Sequence, residues 1–374
     1  MDGKEKKLAK YIAAITDIDH AAADAARKRL DCLAKPPGSL GRLEDIAVQL
    51  AGITGQTCNT LDKRCVIIMC SDNGVVEEGV ASAPQSVTYA QAINFTRGIT
   101  GVAVLAKCFN SDLMVVDVGI NTEVNHPGII NRKIRKSTSN LAKQPAMSRE
   151  EAVTAILTGI EMAREAHRKG YRMIGVGEMG IGNTTTSSAV LCAFTGIDAG
   201  LAVGKGAGLT SEGFEKKKRI IMDAIKTYKP DPNDPIDVIS KVGGFDIAAM
   251  AGVYLGAAYC RLPVVIDGFI SAVAALAAAR MASLAVGYMI PSHASCEPGY
   301  AYTVRELGLE PVLHLGMRLG EGSGCPIMFM VVDAACAVIR DMGTFAEAGI
   351  DDRYLENIRE EGCFSTDGRK GAEC

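Results

Sequence analysis

Hydrophobic positions recur along this chain with two different periods, and the change falls near Cys65. Before it, Ala22, Ala25, Ala26 and Leu30 share one face, Leu43, Ile46, Ala47 and Leu50 share another, and Lys35-Pro-Pro-Gly38 breaks the pattern between them. Residues three and four apart lie on one side of a helix, so residues 1 to about 60 are expected to be helical. Beyond Cys65, short β-branched runs end in polar or glycine-rich turns: CVIIMC before SDNG, LMVVDVGI before NTE, YRMIGVG before EMGIGNTT, and PVVIDG before FIS. Helical stretches such as Glu150–Arg168 separate these runs. Strand, turn and helix repeated in this way predict an α/β fold, with a mostly parallel sheet covered by helices on both faces. The Ala-rich segment Phe269–Ile290 is interrupted by Arg280 and reads as a buried helix followed by a strand, not as a membrane span. Ile327–Ile339 is apolar and helical, and the polar tail after Tyr354 is expected to be loosely held. The pattern divides the chain into N-terminal helices (1–60), a large α/β domain (61–325) and a C-terminal helix and tail (326–374). The two ends are expected to pack together as a small domain.

Composition narrows the function. The 374 residues are 48% hydrophobic and 22% charged with a formal net charge of −3, which argues against an electrostatic grip on nucleic acid. The basic run Lys216-Lys217-Lys218-Arg219 lies in a helical segment and reads mainly as a solvated face, with room for one lysine to turn inward. The charged N-terminus has no sustained apolar core, so no secretory signal is expected. The twelve cysteines form no C-x-x-C pair and fit free thiols in a reducing cytoplasm. Five scattered histidines give no ligand spacing, so no metal is expected.

In parallel sheets, ligands bind at the carboxyl ends of the strands. The chemistry-bearing residues fall where such ends are predicted: Asp72-Asn73-Gly74, Glu178 to Thr184, Asp267-Gly268 and Gly316 to Gly324. The segment Gly175-Val-Gly-Glu-Met-Gly-Ile-Gly-Asn-Thr-Thr-Thr186 follows a strand and opens a helix. Its glycines allow close backbone approach, Thr184 to Thr186 are candidate caps, and a helix start is a natural anion site. Gly175, Gly177 and Gly180 match G-x-G-x-x-G, with Asp198 at the distance of a ribose-binding acid. That pattern keeps an NAD(P)-dependent oxidoreductase, or a non-catalytic nucleotide-binding regulator, as alternatives. Gly177 to Thr184 also approaches the P-loop pattern, but Asn183 replaces the lysine that would steady outer phosphates, which suits a monophosphate. A second glycine loop, Gly204-Lys-Gly-Ala-Gly208, precedes the basic helix. Near the C-terminus, Glu321 stands between Gly320 and Gly322 beside Leu315, Met317 and Leu319. It is expected to be a partly buried carboxylate at a strand's carboxyl end, tuned as a proton acceptor.

Six segments in matching order resemble the nicotinate-nucleotide:dimethylbenzimidazole phosphoribosyltransferase family: Lys35-Pro-Pro-Gly-Ser-Leu-Gly-Arg-Leu-Glu44, Asp72-Asn-Gly-Val-Val-Glu-Glu-Gly79, Pro84-Gln-Ser-Val-Thr88, Gly177-Glu-Met-Gly-Ile-Gly-Asn-Thr-Thr185, Ser292-His-Ala-Ser-Cys-Glu-Pro-Gly299 and Leu319-Gly-Glu-Gly-Ser-Gly324. The resemblance implies a three-layer α/β/α domain, a small helical domain from the chain ends, a homodimer and a part in cobalamin assembly, with no cofactor. It implies transfer of ribose 5-phosphate from nicotinate mononucleotide to a benzimidazole-type base. Glu321 is implied as the catalytic glutamate, with Leu319 and Gly320 beside it, and Glu178 as a second active-site glutamate. Gly180, Gly182, Asn183, Thr184, Gly204 and Gly206 would grip the phosphate with Lys217, or with adjacent Lys216. Ser82 and Gln91 would line the base pocket. Asn73 stands where the family often has histidine.

Overall fold

The computed structural model describes residues 3–206 and 208–356, so most of the polar tail expected after Tyr354 lies outside the described residues. The chain packs as two units, one comprising residues up to Thr16 together with Lys63–Met328, the other Asp17–Asp62 together with residues from Phe329 onward.

The large unit is built on six strands: β1 (Arg64–Ser71), β2 (Asp112–Gly119), β3 (Ile129–Asn131), β4 (Met173–Met179), β5 (Val264–Ile266) and β6 (Met289–Pro291). They pair in the order β3-β2-β1-β4-β5-β6, and every pairing is parallel. Central β1 is buried at all of its positions, as expected of a strand covered on both faces, and its sequence accordingly shows an unbroken apolar run instead of alternation. Edge strand β3 has three residues, too few for a periodicity to register, and the sequence reading missed it. The helix Arg149–Arg168 starts at a capping box between Ser148 and Glu151 and packs on Phe245–Tyr259. That second helix is buried at every position but its last, and beyond Asp246 in its first turn it is apolar all round instead of striped. Close approach is needed where they cross: a Cβ on Gly252 would lie 1.9 Å from the Ile156 carbonyl oxygen. The Ala-rich segment forms the helix Phe269–Met281 and leads into β6. Among the described residues, no helix is long and apolar enough to cross a membrane.

The chain runs outward from β1 through β2 to β3, then returns to β4 on the other side of β1. At this switch point the connections leave the sheet in opposite directions and open a crevice at the strands' carboxyl ends.

The N-terminal helix Gly3–Ala13 belongs to the large unit, which corrects the grouping expected for residues 1–60. Leu8 is buried, Lys4 pairs with Glu150, and the Tyr11 hydroxyl donates to Glu161 at 3.0 Å. These are polar contacts made from the mostly exposed side of the helix, which a hydrophobic pattern does not register.

In the small unit, Asp19 caps the helix His20–Asp31 by accepting from the Ala22 N–H. Its buried face is Ala23, Ala26 and Leu30, whereas Ala25 is exposed. Alanines on adjacent faces left the helix rotation undetermined by the pattern. The Lys35–Glu44 segment closes on itself through an ion pair of 2.8 Å between side chains that are 5% and 2% exposed. The helix Gly324–Asp341 contributes buried Phe329, Val332, Cys336 and Ile339 to this unit, and Arg29 donates to the Ile339 carbonyl.

Candidate active site

A cavity of about 370 Å³ opens at the carboxyl ends of β4 and β5. Val80, Ala81, Val87, Phe269 and Leu319 form apolar wall, and the turn after β4 forms a polar one. Gly182, at φ +94°, ends that turn and is the N-cap of the helix Asn183–Thr195. No side chain caps this helix, contrary to the expectation for Thr184 to Thr186. Those threonines lie in its first turn, where the Thr186 hydroxyl donates to Asn73 and Thr184 accepts from Lys217. An uncapped helix start lining a cavity offers N–H groups and the positive end of a helix dipole to an anion.

Lys217 is 0% exposed, and its ammonium donates to Thr184 Oγ1 at 2.9 Å and to the Gly204 carbonyl at 3.1 Å. Burial pushes its pKa down to about 8, against the opposing charge of Glu297. Lys216 instead reaches outward to Glu78 at 3.3 Å. Lys217 and Gly204 do not line the cavity, as their grouping with the phosphate loops had suggested; the lysine sits behind Thr184, while Lys205 and Gly206 form the wall. Glu297 lines the cavity close to Gly204, and burial raises its carboxyl pKa against the pull of Lys217 and Arg318.

Glu178, near the end of β4, accepts hydrogen bonds from the Asn183 side-chain amide and from the Glu321 backbone N–H, the latter at 3.3 Å. Burial pushes its pKa up to about 8; the Asn183 hydrogen bond opposes this and the charges of Asp246 and Asp267 add to it. Burial likewise raises Asp246 to about 6, and Asn183 donates to it at 3.0 Å. Asn183, in the position of a P-loop lysine, thus uses its amide on two carboxyl groups.

Glu321 is 5% exposed. One carboxylate oxygen accepts from Gln91 Nε2 at 2.7 Å, the other from the Val102 N–H at 3.2 Å, at the start of the helix Gly101–Cys108. Contrary to expectation, Glu321 follows no strand. It stands in a turn ahead of the helix Gly324–Asp341, and a Cβ on Gly177 of β4 would lie 2.4 Å from its carbonyl oxygen. Gly320, Glu321 and Gly322 have φ of +86°, +64° and +88°. The glycines therefore report a left-handed turn crowded onto the sheet, and holding a glutamate there costs roughly 1–2 kcal/mol.

Ser82, Gln91, Gly180, Leu319 and Gly320 also line the cavity, with Leu319 59% exposed. The G-x-G-x-x-G spacing has a packing cause. Gly175 and Gly177 lie inside β4, and Asp198 caps the short helix Ala199–Ala202. Three contributors escaped the sequence reading: Asp246, and the roles of Asp267 and His293, which line the cavity after β5 and β6. For Asp267 and His293 the available signal was their position just beyond strand ends, whereas Asp246 lies in the first turn of the helix Phe245–Tyr259 and offered none. Among the described residues, no group of three His, Cys, Asp or Glu side chains is placed to hold a metal ion.

A doubly wound α/β domain, with an uncapped helix start and gathered carboxyl groups around one switch-point cavity, defines a protein that handles a small phosphorylated nucleotide. A family model described as Phosphoribosyltransferase matches residues 15–350. The chain is 56% identical over 357 residues to the nicotinate-nucleotide–dimethylbenzimidazole phosphoribosyltransferase of Clostridium perfringens, covering 96% of this chain and 99% of that one. It is 54% identical over 340 residues to the enzyme of that name from Ruminiclostridium cellulolyticum, covering 91% and 97%. A crystal structure of nicotinate-nucleotide–dimethylbenzimidazole phosphoribosyltransferase from Thermus thermophilus superimposes with a TM-score of 0.85 at 38% identity, over 89% of this chain and 99% of that one. This chain belongs to the nicotinate-nucleotide–dimethylbenzimidazole phosphoribosyltransferase family.

Proposed function

We propose that this protein transfers ribose 5-phosphate from nicotinate mononucleotide to 5,6-dimethylbenzimidazole, yielding α-ribazole 5′-phosphate and nicotinate. In the mononucleotide the leaving ring is a cationic pyridinium, so breaking its C–N bond releases an uncharged ring nitrogen and needs no strong acid. The incoming base attacks C1′ with one ring nitrogen and gives up the proton on its other one. Glu321 accepts that proton. Attack on the face opposite the departing ring turns a β-nucleotide into an α-ribotide. The uncapped start of the helix Asn183–Thr195 and the Lys205-Gly206 segment hold the phosphate, with Lys217 behind Thr184 adding positive charge. Glu178 stays protonated near neutrality, which spares the cavity its negative charge while an anionic nucleotide binds.

One observation carries this reading. Glu178 joins the Glu321 turn to Asn183 at the helix start, so a proton acceptor and an anion site line one cavity. The same reading includes a cytoplasmic homodimer. Every described cysteine is a free thiol, which suits a reducing compartment, and Ile99, Val104, Leu315 and Leu319 expose apolar surface suited to a second copy.

The test is nicotinate release from nicotinate mononucleotide with and without 5,6-dimethylbenzimidazole. Release that requires the base, with equimolar formation of a ribotide of that base, is the expected result. Release without any base would mark a hydrolase, and binding without release would mark a regulator.

A further inference from the structure

Glu321 presents its carboxylate from a turn of three consecutive positive-φ residues, outside any strand or helix. Such a turn needs an external hold if the carboxylate is to keep one position, and Asp267 supplies it. This carboxyl group, 1% exposed beyond the end of β5, accepts the Gly322 N–H at 3.1 Å through one oxygen and the Gly324 N–H at 2.7 Å through the other. Asp267 is itself fixed. Its N–H donates to Ser271 Oγ at 3.3 Å, its carbonyl accepts from Ser292 Oγ at 3.2 Å, and His293 Nδ1 lies 3.9 Å from its Oδ1. Space around the turn is closed on both sides. A Cβ on Gly322 would come within 2.6 Å of Val66 Cγ1, and one on Gly324 within 2.3 Å of His293 Nδ1.

Resting on the functional reading above, we propose that Asp267 is the positioning residue for proton abstraction: its two-oxygen grip on Gly322 and Gly324 sets where the Glu321 carboxylate meets the incoming base. An amide cannot replace it. Asparagine offers one oxygen, and its NH₂ would face a second N–H donor. The competing account makes Asp267 merely a support for the start of the helix Gly324–Asp341, with no link to the chemistry.

Steady-state kinetics of Asp267→Asn, Glu321→Gln and the double variant separate the two. Asp267→Asn is expected to lower kcat about 10- to 100-fold, as misplacing a reacting group does, and to leave KM for nicotinate mononucleotide within about twofold. In the Glu321→Gln background the same change should cost no more than about twofold, since a positioner has nothing left to position. Losses that multiply in the double variant, or a KM that rises as far as kcat falls, would overturn the proposal and leave the function standing. Wild-type turnover by Glu321→Gln would remove both. If Asp267→Asn does not fold, Gly324→Ala provides the same test with the charge intact, because its Cβ pushes the N–H away from Asp267. It should lower kcat several-fold, with no further loss on Glu321→Gln, and multiplying losses there would again refute the role of Asp267.

Discussion

The phosphate side and the carboxylate side of the cavity are built in different ways. The phosphate side is largely one continuous piece of chain, in which β4 runs into Gly180–Gly182 and then directly into a helix. Its chemistry comes from backbone, and its location follows from being the strand-to-helix turn at the switch point. The carboxylate side is assembled across long sequence distances. Glu321 accepts from Gln91 and Val102, 230 and 219 positions away, and its turn hangs on Glu178 and Asp267, 143 and 55 positions from the residues they hold. A local grip tolerates changes elsewhere in the fold, whereas an assembled one depends on every element that carries a partner. Damage on the first side should therefore appear as weakened binding, and damage on the second as slowed chemistry.

The largest expected effect is on the carboxylate side. Glu321→Gln keeps the shape but removes the proton acceptor, and steady-state assays should show kcat falling by about a hundred-fold or more with KM for the mononucleotide nearly unchanged. If KM moves instead, the division of labour between the two sides fails. Next comes Gly182→Val on the phosphate side. The position has φ +94°, and an added Cβ would lie 2.7 Å from Val76 Cγ2, so the turn must shift. The expected outcome is a rise of about tenfold or more in KM for the mononucleotide, with that for the base little altered, because the backbone anion site is displaced.

The smallest effect tests Glu178, which joins the two sides. Its carboxyl has a pKa of about 8 in the fold against 4.5 for an ordinary glutamate, so over that interval the native state holds a proton that the unfolded chain has lost. Stability should then fall as pH rises through the interval, by roughly 1 kcal/mol per pH unit at most. Asp246, raised to about 6, contributes in the same direction but is spent by that pH, leaving Glu178 to act between about 6 and 8. Thermal melts from pH 6 to 8 should show a declining Tm in the wild type and a flatter profile in Glu178→Gln. An unchanged slope would assign the effect to other groups.

The same contrast explains what the sequence disclosed. β1, β2, β4 and β5, the parallel sheet and the glycine turn were readable because strand runs and turn residues are local signals. The Glu321 turn is recognisable as a motif, but its sequence suggests a strand end; only the packed structure shows a left-handed turn pressed onto Gly177. Lys217 could be separated from Lys216 only once the helix rotation was fixed, and no pattern of residues reveals that a buried ammonium lies behind Thr184 instead of in the cavity. Asp267 carried no signal beyond sitting just after β5, and Asp246, in the first turn of a helix, carried none, because their partners are backbone and side-chain groups brought together by the fold.

The claim on which this account turns is that the Glu321 carboxylate meets the nitrogen of the incoming base. The most direct measurement is a crystal structure of the protein with 5,6-dimethylbenzimidazole and a nonreactive ribose phosphate. The account predicts a ring nitrogen at hydrogen-bond distance, about 2.6–3.2 Å, from the Glu321 carboxylate, with the phosphate on the Gly182–Thr184 helix start. A base seated against another acid, with Glu321 still bonded only to Gln91 and Val102, would contradict it.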